Sequence, residues 1–191
     1  MGNKNILSTM NSTNIPSKWP ENPFWEFSLK FYGQKGVSEI LIWFQENWQA
    51  DVNILLYFCW AGISNANSFT VAEIRSLQQA VKRWNAEIVG PLRSLRRTLK
   101  TDTRGAPESW VRVVRTSIQE AELEAEHLQQ LLIFLSHPQE AYPDLDQESC
   151  QRNIVNNIVL YLTEVGCEPD SITKEKVVEL TDMLLSQKDT P

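Results

Sequence analysis

The chain has 191 residues, 42% of them hydrophobic and seven of them tryptophan, which suits one well-filled core with at most a small appendage. A formal net charge of −6 argues against a dedicated nucleic-acid binder, which would carry a basic footprint. The longest apolar run, Ile54 to Ala61, falls short of the ~20 residues a bilayer crossing needs, and no secretory signal opens the chain. Cys59, Cys150 and Cys167 show no pairing pattern and read as free thiols in a reducing compartment. The expectation is a cytoplasmic protein with no membrane contact.

In chain order, residues 1–18 are Asn-, Ser- and Thr-rich without periodicity and read as a disordered tail. A helical core is expected over residues 19–137. Asn22-Pro23 starts its first helix, which carries Phe24, Trp25, Phe27, Leu29, Phe31 and Tyr32 and stops at Gly33. A second helix runs from Val37 to about Trp48. Asp51 then sits where an N-cap belongs, and the helix to Ile63 is apolar on nearly every side, so it should lie at the centre with other helices around it. Thr70 and Glu73 have the spacing of a capping box.

After that box, Ile74, Leu77, Val81, Trp84 and Ile88 form a coiled-coil-like seam. Gly90-Pro91 should bend or break the helix, and Leu92, Leu95 and Leu99 resume the stripe one residue out of phase. The next helix, about Glu108 to Ser136, carries Val111, Val114, Ile118, Ala121, Ala125, Leu128, Leu132 and Leu135 as its seam and should fold back antiparallel. Residues 138–147 read as a linker, and residues 148–186 as a C-terminal helical hairpin. No stretch alternates with period two. The fold class is all-α: a compact multi-helix bundle around a buried central helix.

The candidate chemistry is sparse. Arg93, Arg96, Arg97 and Lys100 share one helix face, about 120° round from the leucine stripe. They form a candidate interaction face for phosphates or an acidic partner. The plainer reading pairs them with Glu122, Glu124 and Glu126, which flank the facing seam. Asp51 and Asn53 head a helix that must be buried. Asp51 is explained as a cap, and Asn53 then needs a partner such as the Trp84 N–H or an arginine. Asp51, Asn53, Trp84, Arg93, Glu122 and Glu126 are therefore a candidate buried polar network. Glu124 and His127 have the Glu-x-x-His spacing of di-iron bundles, but the second copy is missing and both straddle a polar face, so no metal is expected. No phosphate loop, nucleophile elbow or catalytic set appears, so no catalytic residue and no cofactor is nominated.

Several stretches together resemble a small bacterial family of unknown function. They are Phe24-Trp25-Glu-Phe-Ser-Leu-Lys-Phe-Tyr32, Asp51-Val-Asn-Ile-Leu-Leu56 with Trp60, Trp84 with Pro91-Leu-Arg93 and Leu95-Arg96, and Glu122-Leu-Glu-Ala-Glu126. The likeness covers roughly residues 22 to 135. It implies a cytoplasmic bacterial protein with one helical domain and supplies no activity.

The leading functional expectation is a non-enzymatic protein-interaction or adaptor module, meeting a protein partner through the arginine face or the aromatic N-terminal helix. One alternative is a carrier or sensor for a small apolar ligand, which predicts a closed aromatic-lined cavity. The other is RNA or nucleotide binding through Arg93–Lys100, which predicts exposed, unpaired arginines joined by Arg112 and Arg115.

Overall fold

The computed structural model describes residues 19–64, 68–137 and 146–186. The expected tail at 1–18 lies outside them, as do residues 138–145 of the expected linker. The last two linker residues, Asp146 and Gln147, cap and begin a helix.

The described residues are helical and contain no strand, so the all-α expectation holds. Helix α1 (Pro23–Tyr32) is capped by Asn22, whose Oδ1 accepts the Trp25 N–H at 3.3 Å. Helix α2 (Val37–Trp48) follows Gly36, whose φ of 92° is left-handed backbone that suits glycine. Helix α3 (Val52–Ile63) is buried from Asn53 to Gly62 and forms the axis of the bundle. It is contacted by α1, α2, α6, α7 and α8. Helix α4 (Val71–Trp84) starts with the capping box, Thr70 accepting from the Glu73 N–H and Glu73 from the Thr70 N–H.

At Gly90-Pro91 the expected bend or break is replaced by a π turn. The helical path continues from α4 through Asn85–Val89 into α5 (Gly90–Thr101), and the Gly90 N–H donates five residues back to the Asn85 carbonyl. An ordinary α-turn would set the Pro91 ring against the carbonyl four residues earlier, and the wider turn sits just ahead of it. The extra residue also shifts the face. Val89 is fully buried and Ile88 exposed, the reverse of the seam read from the sequence. From Val89 the inward phase runs to Arg93 and Arg96, while Leu95 points out, 48% exposed.

Helix α6 (Glu108–Ser136) lies along α4 and α5. Its buried stripe is Val111, Glu122, Ala125 and Gln129, with Ile118 half-buried. Val114, Ala121 and Leu135, expected in the seam, are exposed. Helices α7 (Gln147–Glu164) and α8 (Ser171–Leu185) add Ile154, Ile158, Tyr161, Val177, Leu180 and Leu184 to the same buried cluster as α3.

Candidate functional site

Helices α1, α2, α3, α5 and α6 surround a cleft of about 300 Å³ that is partly open to solvent. Its apolar wall comes from Trp25, Leu29, Tyr32, Ile42, Leu56 and Leu123. Opposite stand Arg93, Arg96 and Arg97 of α5 with Glu122 and Glu126 of α6. Arg93 and Arg97 also line a second, more polar hollow that runs on toward Gln45, Asp51 and Asn85.

The charged wall is a network. Arg93 Nε donates to Glu122 Oε1 at 3.1 Å, and its Nη2 donates to Glu126. Arg96 grips Glu122 with both arms of its fork, Nε to Oε2 and Nη2 to Oε1, the latter at 3.1 Å. A planar guanidinium matches a carboxylate in this side-on fashion, which fixes both groups better than one contact would. Burial works against the charge on Glu122, but Arg96 and Arg93 together hold its carboxyl below the usual range. Glu126 goes the other way. Burial outweighs Arg93, the charges of Glu122 and Asp51 add to it, and its carboxyl is raised. Tyr32 across the cleft is also raised, by burial and then by the charge of Glu126.

Beneath that wall lies a chain of amides. Asp51 caps α3, its Oδ1 accepting the Asn53 N–H at 2.9 Å. Its Oδ2 accepts from the Asn85 amide and from Gln129 Nε2, the latter at 2.6 Å. Gln129 Oε1 accepts from Asn53 Nδ2 at 3.0 Å, and Asn53 Oδ1 accepts from Gln130 Nε2 at 2.8 Å. Burial raises the Asp51 carboxyl against the hydrogen bonds of Asn53, Asn85 and Gln129. The Asp51 N–H donates to the Tyr161 hydroxyl of α7 at 2.7 Å.

Trp25 is held from behind. His127 stacks on it with ring centroids 4.2 Å apart, and Trp19 lies against the same imidazole. Trp19 Nε1 donates to Glu124 at 2.8 Å. His127 is therefore buried in an aromatic cluster, not spread on a polar face as the sequence suggested. No group of three His, Cys, Asp or Glu side chains suited to a metal ion occurs among the described residues.

The structure thus divides the sequence-derived site residues. Arg93 and Arg96 join Glu122 and Glu126, while Arg97 and Lys100 are exposed and form no ion pair among the described residues. The four cations are not one free face. Asp51 and Asn53 are linked to each other's surroundings through Gln129, but Trp84 is not their partner: its Nε1 donates to the Ala125 carbonyl at 2.9 Å. Nor does an arginine bond Asn53. Gln129 and Gln130 do, and sequence reasoning passed over both, because glutamine on a long helix reads as solvent-facing. Gln129 sits seven residues after Glu122 and four after Ala125, in phase with the buried stripe, and that phase was the available signal.

A helical domain with a mixed apolar and charged cleft is the class these features define. Residues 23–133 match the model of a protein family of unknown function, DUF2390, and the chain belongs to that family. Every residue lining the cleft falls within the matched segment. No curated protein matches the chain, and neither does any solved structure. Among the described residues, no helix is long and apolar enough to cross a membrane.

Proposed function

We propose that this chain is a helical binding protein whose cleft takes a small amphipathic anion, an aromatic or aliphatic body ending in a carboxylate or phosphate. One observation carries the reading. Three guanidinium groups meet two carboxylates at the charged wall, and the uncommitted one, Arg97, stands at the junction of both hollows. Arg93 and Arg96 are held rigid by Glu122 and Glu126, so the anion's field is preorganised and Arg97 supplies the free fork. The apolar body lies against Trp25, Leu29 and Tyr32.

This modifies the carrier reading. The cleft is open and not a closed aromatic cavity, because Phe24, Phe31 and Phe44 are fully buried in the core. Support for the docking-face and nucleic-acid readings weakens with the pairing of Arg93 and Arg96. Arg112 does not extend the row either, since it faces Glu108 one turn away at 3.6 Å.

Calorimetric titration of 2-naphthoate against its neutral isostere naphthalene-2-carboxamide tests the proposal. The acid should bind saturably and the amide about tenfold more weakly or not at all, with Arg97→Ala removing the difference at unchanged melting temperature. Equal binding of the two probes, or no binding of either, overturns it.

A further inference from the structure

The amide chain under the cleft has a direction, and its direction makes a demand on the ligand. Asp51 accepts at both oxygens, the Asn53 N–H on Oδ1 and the Asn85 and Gln129 amides on Oδ2, so Gln129 presents its NH₂ there. Gln129 is left with its carbonyl for Asn53, whose NH₂ must face it. Asn53 in turn offers its own carbonyl, and Gln130 must give its NH₂. Each amide has one donor end and one acceptor end, so the choice at Asp51 propagates through three side chains without ambiguity.

The chain ends on Gln130 Oε1. That atom is buried, and no described residue donates to it. Gln130 is 2% exposed and lines the cleft with its partner Asn53, whereas Arg97 lines the same cleft as an exposed side chain. A buried acceptor left unpaired costs free energy, and such atoms in folded proteins call for a partner.

We infer that the ligand carries, apart from its anionic group, an N–H or O–H donor placed to serve Gln130 Oε1. The inference rests on the cleft-binding proposal and narrows it to donor-bearing aromatic anions: hydroxyaryl or aminoaryl acids, or bases with an exocyclic amine joined to a phosphate. Trp25 and Tyr32 supply the apolar faces for the ring, and Arg97 reads the anion. Specificity would follow from the same logic by which a site built around a substrate hydroxyl rejects the analogue lacking it. Asp51 acts as a positioning residue: it touches no ligand and fixes which end of Gln130 the ligand meets.

The test is a panel of 5-, 6- and 7-hydroxy-2-naphthoates measured against 2-naphthoate by calorimetry. At least one hydroxy isomer should bind about tenfold more tightly than the parent acid. Gln130→Met, close in shape but without the acceptor, should erase that preference, bringing the affinity ratio of hydroxy to parent acid to about one. If Gln130→Met fails to fold, the wild-type panel alone decides. Hydroxy and parent acids binding alike overturns the inference, and so does a preference that survives Gln130→Met. Binding of 2-naphthoate that depends on Arg97 but shows no hydroxyl preference sinks this inference and leaves the cleft reading intact. No binding by any acid sinks the cleft reading itself. Through-hydrogen-bond couplings between side-chain amides in the wild-type protein give an independent check, since the stated order requires Gln130 to donate to Asn53 and not the reverse.

Discussion

Gly62 of α3 faces Ile154 of α7 so closely that a Cβ on the glycine would stand 2.0 Å from Ile154 Cγ1. The C-terminal hairpin is keyed into the axis of the bundle at that point, because only a residue without a side chain lets the two helices meet. Gly62→Ala should destabilise the protein by about 1–3 kcal/mol in urea denaturation, the usual scale for overpacking. Trimming the opposing side chain with Ile154→Val or Ile154→Ala should recover part of the loss, so the double mutant should be more stable than the sum of the singles predicts. Strict additivity would show that the contact is not the cause.

Glu122 is the hub of the charged wall, with two guanidinium groups on one carboxylate that is 5% exposed as a residue. Removing it strands Arg96 and leaves Arg93 with Glu126 alone, and both arginines are only partly solvated. Glu122→Ala is expected to cost about 2–3 kcal/mol, somewhat under the range for a fully buried pair because the arginines reach water. Glu108→Ala breaks a pair on the helix surface and should change stability by less than about 0.5 kcal/mol. Chemical denaturation of the two variants side by side checks the contrast.

His127 gives a pH dependence with a definite sign. Burial among Trp19 and Trp25 holds its imidazole below the ordinary value, against the pull of Glu124. The unfolded chain then takes up the proton first, so stability present above about pH 6.5 is lost as the pH falls toward the folded value. Asp51 and Glu126, both raised, act in the opposite direction in the acid range, so the wild-type curve alone does not isolate the histidine. The difference in melting temperature between wild type and His127→Phe does. It should move against the wild type between about pH 7.5 and 5, and a flat difference would remove His127 from the acid response.

The thiols should be silent in the native state. Burial pushes the Cys59 thiol up to about 12, and Cys150 and Cys167 are buried as well. A thiolate is the reactive form, and reagent access requires exposure. A thiol-reactive dye should label none of the three rapidly in buffer and all three in guanidinium chloride. Fast labelling of Cys150 or Cys167 in buffer would mean that the hairpin opens readily, since α7 and the turn after it carry them.

What the sequence disclosed, it disclosed through local chemistry. Asn22, Asp51 and Thr70 each cap the helix they were assigned to, because a cap needs only its own next turn. The apolar α3 found its place at the centre because no orientation could expose a polar side. The site was harder to see, since its polar groups occupy positions that the pattern reserves for core residues. Glu122 holds a place in the buried stripe where Ala121 was expected, and Gln129 another. Glu122 was expected in a buried polar network with Arg93, but reading Gln129 as solvent-facing follows from composition, and only the phase of Val111, Ile118 and Ala125 on α6 argues otherwise. The stacking of His127 on Trp25 joins segments a hundred residues apart, and no spacing rule reaches that far.

The π turn at Asn85–Val89 has a meaning for how such a cleft arises. Wind the same residues as an unbroken α-helix, and Leu92, Leu95 and Leu99 fall four, seven and eleven residues after Ile88, within about 40° of the stripe that Ile74, Leu77, Val81 and Trp84 begin. At about 100° per residue, α5 would then turn its leucines to α6 and its arginines to water. The result would be a plain zipper, better packed and chemically mute. One wider turn is the difference between a strut and a charged wall.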